Sequence, residues 1–165
     1  MIREATPSEA PALAELLGDC VDDGASVGFL APLDRSRAEA FWAGVLVEAA
    51  AGDRVVLVAE AGAALLGTVQ VVLRAPENQP HRGEVAKMMV HPAARRAGVG
   101  GALLAGAEGV ARAAGKSLLV LDTASAEAAR LYERRGWQRV GVIPGYALGP
   151  YGGLTNTTVY WRSLD

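Results

Sequence analysis

The sequence has 165 residues, of which 51% are hydrophobic and 21% are charged, and its net charge is −2 at pH 7. This length suits a single domain spanning residues 1–165, and the composition is that of an ordinary globular protein. Because its Lys and Arg residues are not clustered, we expect no nucleic-acid partner. No apolar run approaches the roughly 20 residues of a membrane span, and the N-terminus lacks the pattern of a signal peptide, so we expect no membrane partner and a cytoplasmic location.

The first half of the chain predicts two helices and a set of strands. Thr6 and Glu9 form a capping-box pattern, with a proline between them, that opens the first helix. Two Val- and Leu-rich segments separated by a glycine-containing turn indicate an antiparallel hairpin. In chain order we expect a strand over 1–5, a helix from Thr6, a helix over 36–51, and strands over 54–60, 65–73 and 84–90.

The second half predicts one strand–helix–strand crossover followed by two strands. Apolar residues over 98–114 recur at helical spacing, and residues 118–121 form a continuous apolar run typical of a buried strand. Ser125 can cap a further helix that ends at Gly136. Residues 137–143 and 157–164 complete the strands. This order indicates an α+β fold rather than a dinucleotide-binding fold.

A glycine-rich turn opens the helix over 98–114. Gly98, Gly100 and Gly101 weaken the first helical turn, which is useful only where the backbone approaches something closely. Free amides at a helix N-terminus, together with the helix dipole, favour a phosphate there. Arg95 and Arg96 add positive charge at the same place. The turn therefore predicts an anion-binding site.

Other phosphate motifs and metal sites are excluded by the sequence. A Rossmann fingerprint needs a glycine where Leu103 stands, and residues 115–117 lack the preceding P-loop glycine because residue 110 is Val. Cys20 is the only cysteine, which excludes an intramolecular disulfide. No H-x-H or H-E-x-x-H pattern occurs, so we expect no catalytic metal.

Two motifs resemble those of the GNAT superfamily of N-acetyltransferases. Residues 90–92, Val-His-Pro, followed by Arg95-x-x-Gly98-x-Gly100, are similar to the acetyl-CoA motif Q/R-x-x-G-x-G/A. Residues 125–137 are similar to the segment N-x-x-A-x-x-L-Y-x-x-x-G-F. The resemblance implies the GNAT fold, in which a mixed, mostly antiparallel sheet of about seven strands splays between strands 4 and 5 and is flanked by about four helices.

The resemblance also implies where acetyl-CoA binds as co-substrate. Its pantetheine arm is expected in the gap between strands 4 and 5, and its pyrophosphate on the glycine-rich turn. Ser125 departs from the family pattern, because an Asn often contacts the cofactor at that position. The implied cofactor-binding residues are Met88, Met89, Val90, Arg95, Arg96, Ala97, Gly98, Val99, Gly100, Gly101 and Ser125.

Acetyl transfer requires a base for the amine, a donor for the oxyanion and an acid for the leaving thiolate. Glu84 lies eleven residues before Arg95, the spacing of the base glutamate in histone-acetylating members, and is the candidate base. Asp122 is its rival. Tyr132 matches the general acid of the superfamily, and the Met89 amide is the expected oxyanion donor. Each residue also has a structural alternative. Glu84 could be a strand-end carboxylate paired with Arg82 or Lys87, Asp122 could be a helix cap, and Tyr132 could be a core tyrosine.

The C-terminal third is similar to the tabtoxin-resistance type of acetyltransferase, on residues 121–123, 131–137 and 142–147. The resemblance implies acetyl transfer from acetyl-CoA to a primary amine of a small, amino-acid-like molecule, by direct attack in a ternary complex, and a homodimer. The alternative function is a non-catalytic module that binds or senses acyl-CoA.

Three tyrosines are candidates for the acceptor pocket, and one lysine is a charge that the strand pattern leaves unexplained. Tyr146, Tyr151 and Tyr160 either line the pocket or pack in the core. Lys87 is a charge within an apolar strand, and a partner acid, a position at the mouth of a groove or a substrate carboxylate would each explain it.

Overall fold

A computed structural model describes all 165 residues and contains seven strands and four helices. No helix in it is both long enough and apolar enough to cross a membrane. Short 3-10 turns precede the first and third helices, at Pro7–Glu9 and Pro92–Ala94. The elements are β1 (Ile2–Glu4), α1 (Ala10–Asp22), α2 (Arg35–Ala50), β2 (Arg54–Ala61), β3 (Ala64–Val72), β4 (Arg82–Val90), α3 (Val99–Ala113), β5 (Leu118–Thr123), α4 (Ala126–Arg134), β6 (Gln138–Leu148) and β7 (Leu154–Ser163).

All seven strands form one mixed sheet in the order β1-β2-β3-β4-β5-β7-β6. Every neighbouring pair is antiparallel except β4 and β5, which are parallel. These two strands pair over only three positions, from Arg82–Leu118 to Glu84–Val120. Beyond Glu84 they separate, so residues 85–90 have no strand partner on the β5 side. The predicted fold class, including the splay between strands 4 and 5, is confirmed.

A β-bulge lies in β4 beside the gap. Gln70 of β3 pairs with Ala86, but Thr68 pairs with Met89, so β4 contains one extra residue between these two pairs. Lys87 lies within the bulge and has a φ of 48°, in the left-handed region that non-glycine residues rarely adopt. Bulges re-aim side chains, and this one offsets the alternation of β4 just where the strand leaves β5.

Two apolar clusters cover the two faces of the sheet. On one face α3 and α4 pack on a core that includes Val69, Leu103 and Leu121. On the other face α1 and α2 pack around Trp42 and Val58. Strand side chains point alternately to opposite faces. A site residue an even number of positions along a regular strand from a core residue therefore lies on the same face as that residue, and one an odd number away lies on the opposite face.

The local signals of the sequence match the observed helix ends. The Thr6 amide donates to the Glu9 carboxylate at 2.6 Å, although a 3-10 turn precedes α1, which begins at Ala10. The Ser125 hydroxyl accepts from the Ala128 amide at 3.2 Å, so the predicted cap of α4 is present.

The last two strands are longer than the sequence pattern predicts. A register irregularity between Ile143 and Ala147 accommodates Pro144 and Gly145, and the φ of Gly145 is 60°. Pro and Gly disfavour an interior strand, which is why the prediction ended at residue 143. They are tolerated here because β6 is the edge strand of the sheet.

Gly67 of β3 allows the backbones of β3 and β4 to lie close together. A Cβ on this residue would lie 2.6 Å from the Met89 carbonyl oxygen and 3.0 Å from Leu103 Cδ1. We therefore expect Gly67→Ala to lower the free energy of unfolding by about 1–3 kcal/mol, measured by urea denaturation.

Gly44→Ala in α2 is the matched control for this substitution. No atom lies within 4 Å of its added Cβ, and Ala favours a helix interior, so this variant is expected to be more stable by about 0.5–1 kcal/mol. Equal stability of the two variants would show that the close approach at Gly67 is unimportant.

Candidate functional site

A small groove lies on the α1/α2 face of the sheet, beside the gap between β4 and β5. Its volume is about 190 Å³. Glu84 and Asp122 both line it, which brings together two carboxylates that are far apart in the sequence. The remaining lining residues are apolar or neutral: Val120, Leu121, Ile143, Tyr146, Thr157 and Val159.

Glu84 is exposed and makes no hydrogen bond or ion pair through its side chain. The neighbours that could have neutralised it are not paired with it. Arg82 donates through Nε to Gln79 Oε1 at 2.8 Å, and Lys87 forms no ion pair. The Glu84 carboxylate is therefore free to accept a proton from a molecule in the groove.

Asp122 is the more constrained of the two carboxylates. It accepts a hydrogen bond from the Thr157 hydroxyl at 2.6 Å. The helix-cap alternative does not apply to it, because Ser125 caps α4. Thr157 and Asp122 thus join β5 to β7 at the edge of the groove.

Tyr132 of α4 lies on the opposite face of the sheet. Its side chain is only 4% exposed and packs against Trp137 and Tyr160, with ring centroids 5.8 Å away in each case. Its hydroxyl points towards β4 and donates to Met88 Sδ at 4.0 Å, a weak hydrogen bond. Burial, with a smaller contribution from the charge of Asp122, raises the pKa of the phenol above its ordinary value. Tyr132 therefore stays protonated and reaches the gap from the α4 side.

In β4, the backbone N–H and C=O groups of alternate residues point towards the gap. The Met89 carbonyl lies against Gly67 of β3, and the His91 amide donates to the Leu66 carbonyl at 2.8 Å. Because the N–H and C=O of one strand residue point to the same side and neighbours alternate, the Met89 amide lies on the β3 side. The Met89 amide is therefore turned away from the gap, and the identity of the oxyanion donor stays a prediction. The backbone groups of Met88 and Val90 face the gap instead.

The glycine-rich turn leaves an open helix N-terminus at the end of the gap. Gly98 is the N-cap of α3 with a φ of 83°, no side chain caps this end, and no atom lies within 4 Å of a Cβ placed on Gly98. Arg96 is exposed, as is Ala97, and Val99 and Gly100 begin the helix. These features fit a pyrophosphate, which would take the free amides of this turn.

Arg135, which the sequence motifs did not single out, lies over the first turn of α3. Its Nη2 is 2.6 Å from the position that a Cβ on Gly101 would occupy, so the guanidinium would have to shift if this residue carried a side chain. A Cβ placed on Gly100 would likewise lie 3.3 Å from Leu131 Cδ2. Two of the three glycines therefore serve the packing of α4 onto α3, a contact that only the tertiary fold creates.

Arg95 is positioned differently from the other residues of the turn. Its Nη1 donates to Asp23 Oδ2 at 2.5 Å, and His91 Nε2 lies 3.2 Å from Asp19 Oδ2. Both contacts tie the segment after β4 to the C-terminal end of α1. The charge of Arg95 is thus partly neutralised within the chain.

The β6–β7 connection contacts the segment that follows α1. The Tyr151 hydroxyl donates to the Asp22 carbonyl at 2.6 Å, and the Ala31 amide donates to the Pro150 carbonyl at 2.8 Å. These two hydrogen bonds join the β6–β7 connection to the end of α1 and to the α1–α2 connection. Of the three candidate tyrosines Tyr146 lines the groove, whereas Tyr160 is 1% exposed in the core and donates to Glu133.

The open turn predicts a specific effect on acetyl-CoA binding. Gly98→Val places a β-branched residue at a φ of 83° and fills space above the free amides. We expect the Kd for acetyl-CoA to rise at least about tenfold, measured by isothermal titration calorimetry.

Gly115→Val is the matched control for Gly98→Val. Gly115 has a φ of 74° beyond the other end of α3, and no atom lies within 4 Å of its added Cβ. It should weaken the fold similarly and leave the Kd unchanged. An equal loss of binding in both variants would contradict a role for the turn.

Comparison with known families identifies the domain. The family model described as acetyltransferase (GNAT) domain matches residues 52–139, a range that contains the groove carboxylates, the glycine-rich turn and Tyr132. An uncharacterized N-acetyltransferase from the hisH-hisA intergenic region of Azospirillum brasilense is 31% identical over 146 residues, covering 78% of this chain and 85% of the relative.

Solved structures share the fold. The ribosomal-protein-alanine N-acetyltransferase of Brucella melitensis is 23% identical, with a TM-score of 0.82 over 99% of each chain. A phosphinothricin acetyltransferase of Sinorhizobium meliloti, solved in complex with acetyl-CoA, is 18% identical with a TM-score of 0.83, covering 100% of this chain and 88% of that chain. The matched family model and relative show that this chain belongs to the GNAT family of N-acetyltransferases and is an enzyme that transfers acetyl groups from acetyl-CoA.

Proposed function

We propose that this enzyme acetylates the primary amine of a small, amino-acid-like molecule, by direct attack in a ternary complex. One observation carries the proposal: a pair of carboxylates and a protonated phenol approach the same gap in the sheet from opposite faces. Glu84 and Asp122 line the groove on one side, and the Tyr132 hydroxyl reaches Met88 from the other. An amine and a leaving sulfur that meet in the gap would each have a proton-transfer partner.

The roles of the residues follow from this arrangement. Acetyl-CoA supplies the acetyl group as an activated thioester. Glu84 takes the proton that the ammonium group loses before it can attack. Attack by the amine nitrogen forms the amide bond as the carbon–sulfur bond breaks, and the Met88 amide donates to the carbonyl oxygen. Tyr132 protonates the leaving sulfur, and the proton released from the new amide nitrogen returns to the phenol through solvent.

The size of the groove supports a small acceptor. Its volume of about 190 Å³ is close to the roughly 150 Å³ of a cavity that holds benzene. The acceptors named for solved relatives of this fold include a ribosomal protein alanine as well as phosphinothricin, so the fold alone does not select the acceptor. The small, amino-acid-like class rests on the groove and on the resemblance to the tabtoxin-resistance type.

A thiol-release assay over a panel of primary amines tests the proposal. We expect CoA release that depends on the amine, with initial-rate lines that intersect when both substrates are varied, as a ternary complex requires. Parallel lines would indicate a covalent acetyl-enzyme instead. Tight acetyl-CoA binding without CoA release for any amine would favour the alternative, a non-catalytic module that binds or senses acyl-CoA.

We also propose that the enzyme is a cytoplasmic homodimer of single-domain chains. The edge strand β6 supports the dimer, because it exposes Val140, Val142 and Leu148 by 43–67% of their surface. An exposed apolar edge is a template for pairing with another strand. We expect a dimer mass in light scattering and a monomer for Val140→Lys. A wild-type monomer at micromolar concentration would contradict this.

A further inference from the structure

Lys87 is a half-buried cation without a partner beside the groove. Its ammonium group makes neither a hydrogen bond nor an ion pair. The charges of Asp122 and Glu84 act on it from beyond contact distance. Burial lowers the pKa of Lys87 below its ordinary value, and the nearby carboxylates oppose this effect. Lys87 is therefore a cation partly withdrawn from solvent that no side chain of the protein pairs.

The other cation near Lys87 on this side of the sheet is already engaged. Arg54 forms an ion pair with Glu48 and donates to Gln70 Oε1 at 2.6 Å. An anion entering the groove would therefore find Lys87 as the free cation of the two.

The backbone directs Lys87 to this position at a cost in strain. Its φ of 48° belongs to the β4 bulge, in a region that a non-glycine residue adopts only with backbone strain. The side chain reaches the α1–α2 loop, where its Nζ lies 3.2 Å from the position that a Cβ on Gly28 would occupy. Gly28, with a φ of 91°, leaves room for the ammonium group. Strained residues of this kind concentrate at ligand sites. The strain and the unpaired charge of Lys87 therefore both indicate that it binds a ligand.

We propose that Lys87 binds the carboxylate of the acceptor, so that the enzyme acts on small amino acids whose ammonium group is held near Glu84 and Asp122. This inference rests on the proposed function, because it assigns the substrate class of the same groove. The two groove carboxylates and the lysine near them match the two charges of a zwitterionic amino acid. Apolar surface for a small side chain is provided by Val120 of β5, Ile143 of β6 and Val159 of β7. Lys87 takes no part in proton transfer.

Matched substrates test this assignment. Steady-state kinetics compare each small apolar L-amino acid, such as leucine, with its primary amide. We expect the wild-type enzyme to prefer the acid over the amide by about 10- to 100-fold in kcat/KM, because a charged hydrogen bond to the carboxylate is lost in the amide. Lys87→Met should raise KM for the acid by a similar factor, with kcat little changed, and should leave KM for the amide within about threefold.

Two further variants separate charge from fold. Lys87→Arg keeps the positive charge and should retain most of the preference for the acid. Lys87→Gly removes the charge and also relieves the strain at positive φ, so it should fold at least as well as the wild type and still lose the preference. Equal use of acid and amide by the wild type, or a parallel loss on both substrates in Lys87→Met and Lys87→Gly, would overturn the role of Lys87 while leaving amine acetylation intact.

A binding measurement separates this inference from the proposed function. In NMR titrations, isovalerate should perturb the amides around Lys87 and Gly28 in the wild type, while isovaleramide should not, and the response should disappear in Lys87→Gly. If no amine is acetylated but this pattern holds, the proposed function fails and the carboxylate site stands. If isovalerate and isovaleramide behave alike, the carboxylate site fails whatever the acetylation assays show.

Discussion

Glu84→Gln is expected to lower kcat/KM for amine acetylation by about 10²- to 10⁴-fold, the contribution typical of a general base. Gln keeps the size and hydrogen-bonding shape of the side chain but cannot take a proton at neutral pH. Glu84 is exposed and unpaired, so the substitution removes no contact of the fold. The measurement is thiol release under steady-state conditions, with acetyl-CoA binding followed separately and expected to be unchanged.

Asp122→Asn is the matched control for this prediction. The Asn carbonyl can still accept from the Thr157 hydroxyl, so the contact at 2.6 Å between β5 and β7 is kept. We expect a loss of roughly tenfold or less, which is the scale of a charge that assists without transferring the proton. A large loss for Asp122→Asn together with a small one for Glu84→Gln would reverse the assignment and make Asp122 the base.

Tyr132→Phe is expected to reduce kcat by about 10²-fold or more, because it removes the acid that protonates the leaving sulfur. The ring stays in place, so its packing against Trp137 is retained, and the hydroxyl gives up only a weak contact with Met88. Tyr160→Phe is the control, since Tyr160 belongs to the same cluster but donates to Glu133 away from the gap. It should leave kcat unchanged. Equal losses in the two variants would mean that Tyr132 acts through packing alone.

The raised pKa of Tyr132 predicts two pH effects. Because burial holds the pKa of this phenol above 10, wild-type kcat should show no alkaline decline from its ionisation below about pH 10. The unfolded chain releases this proton near pH 10 while the folded chain keeps it. The contribution to stability is therefore complete below pH 10 and is lost as the pH rises further. Urea denaturation between pH 9 and 11 should show a steeper fall for the wild type than for Tyr132→Phe.

Local chemistry in the sequence determined the helices and strands and predicted the turn at which acetyl-CoA would bind. Thr6 with Glu9, Ser125, and the periodic residues of α3 specify helix boundaries through contacts within a few residues, and the structure confirms these elements. The glycine-rich turn likewise needs only its own backbone to leave free amides. The mixed seven-stranded sheet and the splay followed from the resemblance to the GNAT pattern, and the fold confirms them.

Only the tertiary structure decided which side chains share a face of the gap. The bulge at Lys87 adds one residue to β4, and a one-residue offset exchanges the two faces of a strand, so the sequence alone could not show that the Met89 amide lies on the β3 side. The position of Arg135 over Gly101 and the hydrogen bond from Tyr151 to Asp22 join segments with no local relation in sequence. Such contacts depend on how whole elements pack. Strand pairing and helix docking bring together residues from distant segments, and the local sequence around each residue does not indicate its partner.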